Sequence, residues 1–147
     1  MEKLKKILLV DDDPTNNYLN ERLLKSLQIA EEVKVLTDGK LALDYILENC
    51  FTENHYCPGL VILDHHMPVM DGLELMEALN KNGIIKSLEI VFLLLAVHTK
   101  PEEQEAFRKL GVQEFTPKPL SKRTIREAHL KYWEGDTAKN HAKGSAK

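Results

Sequence analysis

The sequence lacks the features that mark secreted and membrane-spanning proteins. It has 147 residues and only two cysteines, Cys50 and Cys57, which make no disulfide framework and suit a reducing cytoplasm. The apolar run near the N-terminus covers only residues 7–10 before it meets acids, so it is far too short for a signal sequence or a membrane span. We therefore expect a soluble, cytoplasmic protein that does not contact membranes.

An excess of positive charge is also absent. The chain has 20 lysines and arginines against 23 acidic residues, for a net charge of −3. This balance argues against a nucleic-acid partner. The length suits one domain with a substantial core and is too short for two.

Acidic residues follow two of the apolar runs directly. The runs cover residues 7–10 and 60–63, and the acids after them are Asp11, Asp12, Asp13 and Asp64. A third run, 90–96, leads toward Lys118, which has a proline on each side. If the runs are neighbouring parallel strands, their ends place these groups in one crevice, where open α/β sheets bind ligands. Clustered carboxylates repel one another unless a cation lies between them, so the pattern indicates phosphate chemistry with Mg²⁺.

Strand and helix signals alternate along the chain. Predicted strands cover 7–10, 33–36, 60–63, 90–96 and 114–116, and predicted helices start near 14, 39, 73, 101 and 122. Asp13 and Ser121 are predicted helix caps, and the polar second strand is predicted at a sheet edge. Five such units fit a doubly wound parallel sheet with helices on both faces, and the leucine and isoleucine stripes are expected to form the core.

Four motifs in this order resemble the receiver domain of two-component response regulators, of the stand-alone chemotaxis-regulator kind. They are Val10-Asp11-Asp12, Leu63-Asp64-His65-His66-Met67-Pro68, Met70-Asp71-Gly72 and Lys118-Pro119. The resemblance implies an α/β, flavodoxin-like fold: a five-stranded parallel sheet of order 2-1-3-4-5 with about five helices. It implies a receiver at 5–133 and a flexible C-terminal tail at 134–147.

The resemblance also implies roles for individual residues. Asp64 would be the phosphoacceptor, taking a phosphoryl group from a sensor histidine kinase or a phosphotransfer protein. Asp12, Asp64 and the backbone carbonyl of His66 would ligate Mg²⁺ directly, and Asp11 would act mostly through water. Lys118 would pair with a carboxylate or phosphoryl oxygen.

No output domain is expected after the receiver, so the resemblance implies signalling by contact with a downstream protein or by passing the phosphoryl group onward. The expected contact face includes Phe115 and residues 122–130, and a homodimer is possible. We expect a bacterial signalling protein and no enzyme activity beyond its own phosphoryl transfer and autodephosphorylation.

The fourth predicted strand departs from the family pattern, which has a threonine or serine at its end. Counting from the motif before it gives Leu94, and counting back from Gly111 gives Ala96; neither has a hydroxyl group. In the family that hydroxyl moves with an aromatic residue on the fifth strand, here Phe115. The hypothesis is that phosphorylation persists while its conformational readout is weakened or rerouted. The alternative is an apolar switch that works by packing.

Two groups of histidines and cysteines leave alternatives open. His66 would overhang the site and orient or exclude the hydrolytic water, or it would point outward without a role. His65 is expected to be structural or exposed. Cys50, His55 and Cys57 lie close in sequence, but their spacing is irregular and no fourth ligand is evident, so we expect loop residues without zinc.

Two other classes of function compete with a switching receiver. A pseudo-receiver, a constitutive binding module without a phosphorylation switch, is favoured by the apolar stretch at 94–96. The retained charges of Asp11, Asp12, Asp64 and Lys118 argue against it. A metal-dependent phosphatase would use a first-strand aspartate as its nucleophile, and the match around Asp64 argues against that.

Overall fold

The computed structural model describes residues 3–51, 56–81, 83–96 and 99–134. The strands are β1 Leu4–Val10, β2 Ala30–Leu36, β3 Leu60–Asp64, β4 Val91–Ala96 and β5 Val112–Pro117. The helices are α1 Pro14–Leu27, α2 Gly39–Asn49, α3 Gly72–Lys81, α4 Pro101–Lys109 and α5 Lys122–His129. A 3₁₀ helix at Ile84–Ser87 and a π-helical turn at Leu130–Glu134 complete the described chain.

The five strands form one parallel sheet of order β2-β1-β3-β4-β5, which confirms the predicted fold and the predicted edge position of β2. Every residue of β3 is buried because helices cover both faces of the sheet. One face packs its strand residues against α2, α3 and α4, and the other packs against α1 and α5. The ends of β1 and β3 lie side by side, with Val10 in register with Leu63.

Helix caps fix where the helices after β1 and β5 begin. The Asp13 carboxylate accepts hydrogen bonds from the backbone N–H groups of Thr15 at 2.8 Å and Asn16 at 3.3 Å. The Ser121 hydroxyl accepts one from the N–H of Thr124 at 3.1 Å. Both predicted caps are confirmed, and Asp13 is thereby engaged as a cap, as the sequence predicts.

Two apolar helix positions differ from the expectation that leucine stripes form the core. Leu19 is 56% exposed and its neighbour Tyr18 is 59% exposed. The buried face of α1 consists instead of Asn17, Asn20, Leu24 and Leu27. Two asparagines therefore occupy positions that periodicity assigns to apolar residues.

The cysteines correct another expectation. Cys50 and Cys57 are joined by a disulfide, with their Cα atoms 4.5 Å apart. Cys50 follows α2 and Cys57 precedes β3, so the disulfide joins the end of this helix to the approach to β3. Both sulfurs are engaged with each other, and His55, the third residue of the zinc alternative, lies outside the described residues.

The predicted tail at 134–147 also lies outside the described residues, except for the backbone of Glu134. Among the helices that the structure describes, none combines the length and the apolar character that a bilayer crossing requires.

Candidate functional site

Three carboxylates meet where β1 and β3 end. Asp11 follows β1 directly, Asp12 comes next in the loop, and Asp64 is the last residue of β3. One oxygen from each lies within 4.8 Å of the others. Asp11 is 1% exposed and Asp64 is 6% exposed, while Asp12 faces solvent. The sheet therefore brings together the acids that the sequence singled out.

Lys118 joins this group from the loop after β5, where its peptide bond to Pro119 is cis. Its ammonium donates to Asp64 Oδ1 at 2.7 Å and lies 4.0 Å from Asp11 Oδ2. Burial alone would lower the pKa of Lys118, but the hydrogen bond and the charges of Asp64 and Asp11 outweigh it and raise the pKa above its ordinary value. The lysine is therefore held as a cation against the β3 carboxylate.

The two oxygens of Asp11 have different surroundings. Its Oδ1 accepts a hydrogen bond from the N–H of Asp13 at 3.0 Å, whereas its buried Oδ2 has no hydrogen-bond partner among the described residues. Burial raises the pKa of Asp11, the Asp13 N–H opposes this, and the charge of Asp64 adds to the rise, so the net pKa lies above its usual range. An unsatisfied carboxylate oxygen beside two other carboxylates fits a bound cation. The acidic cluster has the donor set for a metal ion.

Asn17 supports the loop that carries these acids, and sequence reasoning missed it. It is 7% exposed, and its Nδ2 donates to the backbone carbonyl of Asp11 at 2.7 Å. This bond fixes the backbone between β1 and α1, where Asp11 and Asp12 lie. The available signal was a polar residue on the helix face that also carries Leu24 and Leu27.

The loop between β3 and α3 is shaped by two glycines. The Gly72 N–H donates to the carbonyl of His65 at 2.8 Å, and a Cβ at position 72 would lie 2.8 Å from the Asp64 carbonyl oxygen. The Gly39 N–H, at the start of α2, donates to the carbonyl of Met70 at 2.9 Å. Close backbone approach at both points requires glycine, and the loop after Asp64 is thereby fixed to two helices.

The structure distinguishes between Leu94 and Ala96, the two candidates for the position where the family pattern has a hydroxyl group. Leu94 is 1% exposed and lies in register with Leu63 and Phe115, inside the core. Ala96 ends β4 opposite Pro117 and is half-buried. Ala96 and Phe115 line a cavity of about 140 Å³ together with Leu94 and Thr99. Ala96 is thus the strand-end residue, and the end of β4 has no hydroxyl group.

The two histidines after Asp64 stack on each other, with ring centroids 4.1 Å apart. His65 is half-buried and meets Phe107 of α4 edge-on at 5.0 Å. Burial lowers the pKa of His65, and the nearby His66 lowers it further. His66 itself is exposed, so both predicted roles for it, as a modulator and as an outward-facing residue, stay predictions.

Comparison with known proteins shows the family of this chain. Residues 7–129 match the response regulator receiver domain family, so the chain belongs to that family. The chain is 33% identical over 89 residues to the response regulator Rcp1 of Synechocystis, covering 60% of each chain. It is 28% identical to the sensor protein GacS of Pseudomonas syringae, covering 93% of this chain and 14% of that protein.

A solved structure agrees in fold. A two-component response regulator from Cytophaga hutchinsonii superposes with a TM-score of 0.79 at 23% identity, covering 90% of this chain and 99% of that one. The resemblance predicted from the four motifs is confirmed, and the chain is a receiver domain of two-component signalling. It spans 60% of Rcp1 and only 14% of GacS.

Proposed function

We propose that this receiver accepts a phosphoryl group on Asp64, with Mg²⁺ bound at the acidic cluster, and transmits the signal by contact with another protein. The observation that carries the proposal is the 2.7 Å ion pair between Lys118 and Asp64 beside the buried Asp11. Burying several charges where the strands end costs free energy, and the fold itself does not require charges at these positions. Phosphoryl transfer needs this arrangement.

The proposed chemistry follows from these groups. A carboxylate oxygen of Asp64 attacks the phosphorus of a phosphohistidine; the O–P bond forms as the P–N bond breaks, and the imidazole leaves. The Lys118 ammonium stabilises charge on the transferred oxygens. Asp11, Asp12, Asp64 and the backbone carbonyl of His66 would hold Mg²⁺, which supplies further positive charge to those oxygens.

The proposed source is a sensor histidine kinase or a phosphotransfer protein. The GacS relatives, a sensor protein and a sensor histidine kinase of Pseudomonas, support this source. We propose a cytoplasmic location, an output face that includes Phe115 and residues 122–130, and no turnover of a separate substrate. Association into a homodimer belongs to the same proposal.

We further propose that the conformational readout of phosphorylation is weakened or rerouted, because Ala96 and Leu94 offer no hydroxyl to a phosphoryl group. A pseudo-receiver without a phosphorylation switch is the less favoured function. A module that never binds phosphate has no use for a lysine paired with a buried strand-end carboxylate.

Intact-mass spectrometry after incubation with Mg²⁺ and acetyl phosphate tests the proposal. We expect one phosphoryl group on the parent protein and none on Asp64→Asn. Asp13→Asn is the matched control, because it removes a nearby carboxylate that caps α1, and it is expected to retain phosphorylation. Phosphate on Asp64→Asn, or none on a parent protein that binds Mg²⁺, would contradict the proposal.

A further inference from the structure

Helix α2 is fastened at both ends. At its start, the Gly39 N–H donates to the carbonyl of Met70, in the loop that follows Asp64, at 2.9 Å. Beyond its last turn, the disulfide joins Cys50, the residue that ends the helix, to Cys57 before β3. The covalent bond and the loop after Asp64 are therefore connected through one rigid helix.

The disulfide lies where a thiol reagent can approach it. Cys57 is half-buried and lines an open groove of about 840 Å³ with Lys5, Lys6 and Tyr56. The groove lies at the opposite end of the sheet from the acidic cluster, since Lys5 and Lys6 are near the start of β1 and Asp11 follows its end. Thiol chemistry there does not compete for the space around Asp64.

Non-covalent contacts next to the disulfide would survive its cleavage. The Tyr45 hydroxyl donates to the carbonyl of Tyr56 at 3.1 Å, and the buried Lys6 ammonium contacts both the Tyr45 hydroxyl and the Glu32 carboxylate. Ile46 of α2 is fully buried in the core. Cleavage would therefore loosen α2 while leaving the helix packed on the sheet.

We propose that Cys50 and Cys57 form a reversible thiol–disulfide site, exchanged with a dithiol donor, that sets how firmly α2 holds the loop after Asp64. This inference does not depend on phosphorylation of Asp64. Within cells, disulfides are uncommon in structural roles and are usually transient and redox-sensing, which is the behaviour proposed for a pair in a receiver domain.

The exchange is a two-electron reduction. A donor thiolate attacks Cys57 Sγ, a mixed disulfide forms, and Cys50 leaves as a thiolate that takes a proton from water. The second donor thiol then displaces Cys57, which is also protonated. The chain gains two electrons and two protons, and the donor becomes a disulfide.

Alkylation after reduction and after oxidation of the protein tests the site. Iodoacetamide is expected to add two groups after reduction with dithiothreitol, none after oxidation with diamide, and two again after renewed reduction. Two added groups after diamide, or crosslinking only between chains, would overturn the proposal. The Cys50→Ser/Cys57→Ser protein is the control and is expected to add none in either buffer.

Hydrogen exchange tests the link to Asp64. Reduction is expected to speed exchange at the Gly39 amide and at residues 70–72 by about threefold or more, since these amides open locally when α2 loosens. The double serine variant is expected to give equal rates in the two buffers. Equal rates in oxidised and reduced parent protein would overturn the proposed control of the loop.

The same exchange experiment on Asp64→Asn separates this inference from the proposed function. The redox effect is expected to persist in that variant, which cannot be phosphorylated. A failure of phosphorylation in the parent protein would leave this test unaffected.

Discussion

At the scale of single residues, the site depends on four charged groups that a motif can reveal and on one asparagine that it cannot. Asp11, Asp12 and Asp64 were predictable because acids after buried strands have few roles other than ligand binding, and Lys118 because it follows the predicted fifth strand. Asn17 was not, since its role is a hydrogen bond to the backbone carbonyl of Asp11. Only the fold shows that this side chain points inward, while Tyr18 and Leu19 point outward.

Ala96 ends β4 where the resemblance predicts a hydroxyl group, and restoring a hydroxyl there is a direct test of the proposed readout. We expect Ala96→Thr to increase the change in the NMR signals of the Phe115 ring on phosphorylation, because the new hydroxyl can meet the phosphoryl group. Stability should change little, as position 96 is half-buried at a strand end.

The matched control is Ala96→Val, which has the shape of threonine without its hydroxyl. It is expected to respond like the parent protein. Equal responses from the threonine and valine variants would show that packing, and no hydrogen bond, governs the readout.

At the scale of elements, the sequence predicted the kind and order of every strand and of α1 to α5, and long-range contacts decided the rest. Strand β5 begins at Val112, two residues before its prediction, and its pairing with β4 shifts register between Phe92 and Leu93. A register shift of this kind depends on the residues of both paired strands, so the sequence of β5 alone does not predict it. The disulfide was missed for the same reason, because sequence spacing does not show that α2 ends beside the approach to β3.

The turn after α5 is joined to β5 by Glu114, and this contact has a defined pH dependence. Glu114 accepts hydrogen bonds from the Lys131 ammonium at 2.7 Å and the Tyr132 hydroxyl at 2.5 Å. Burial tends to raise the pKa of Glu114, but these bonds outweigh it and hold the pKa below its ordinary value of 4.5. The ionised group therefore stabilises the fold above about pH 4.5, and that stability is lost as pH falls through the lower folded pKa.

We predict that Glu114→Gln lowers the free energy of unfolding by about 1 kcal/mol at neutral pH, and that the difference from the parent shrinks below pH 4.5. Urea denaturation across this range measures it. Glu127→Gln is the control, because its ion pair with Arg123 is largely exposed and is expected to contribute little. A difference that stays constant down to pH 3 would contradict the assignment to Glu114 ionisation.

At the scale of the whole molecule, the acidic cluster that forms the proposed cation site also lowers the stability of the folded protein. The sheet buries Asp11 and Asp64 where β1 and β3 end, and the Lys118 ammonium lies near both. Mutual repulsion among the carboxylates opposes folding when no cation is bound. A cation that binds only the folded protein should therefore raise its stability in proportion to the logarithm of its concentration.

We predict that Mg²⁺ at ten times its dissociation constant raises the free energy of unfolding by about 1.4 kcal/mol, measured as a rise in Tm during calorimetry, and that EDTA reverses the rise. Asp12→Asn should lose this increment, because it removes the exposed ligand of the cluster while leaving the buried core intact. Asp13→Asn should keep the full increment, because asparagine caps a helix about as well as aspartate does and the variant leaves the acidic cluster unchanged. An equal Mg²⁺ increment in both variants would place the cation elsewhere and would remove the metal from the proposed phosphoryl-transfer site.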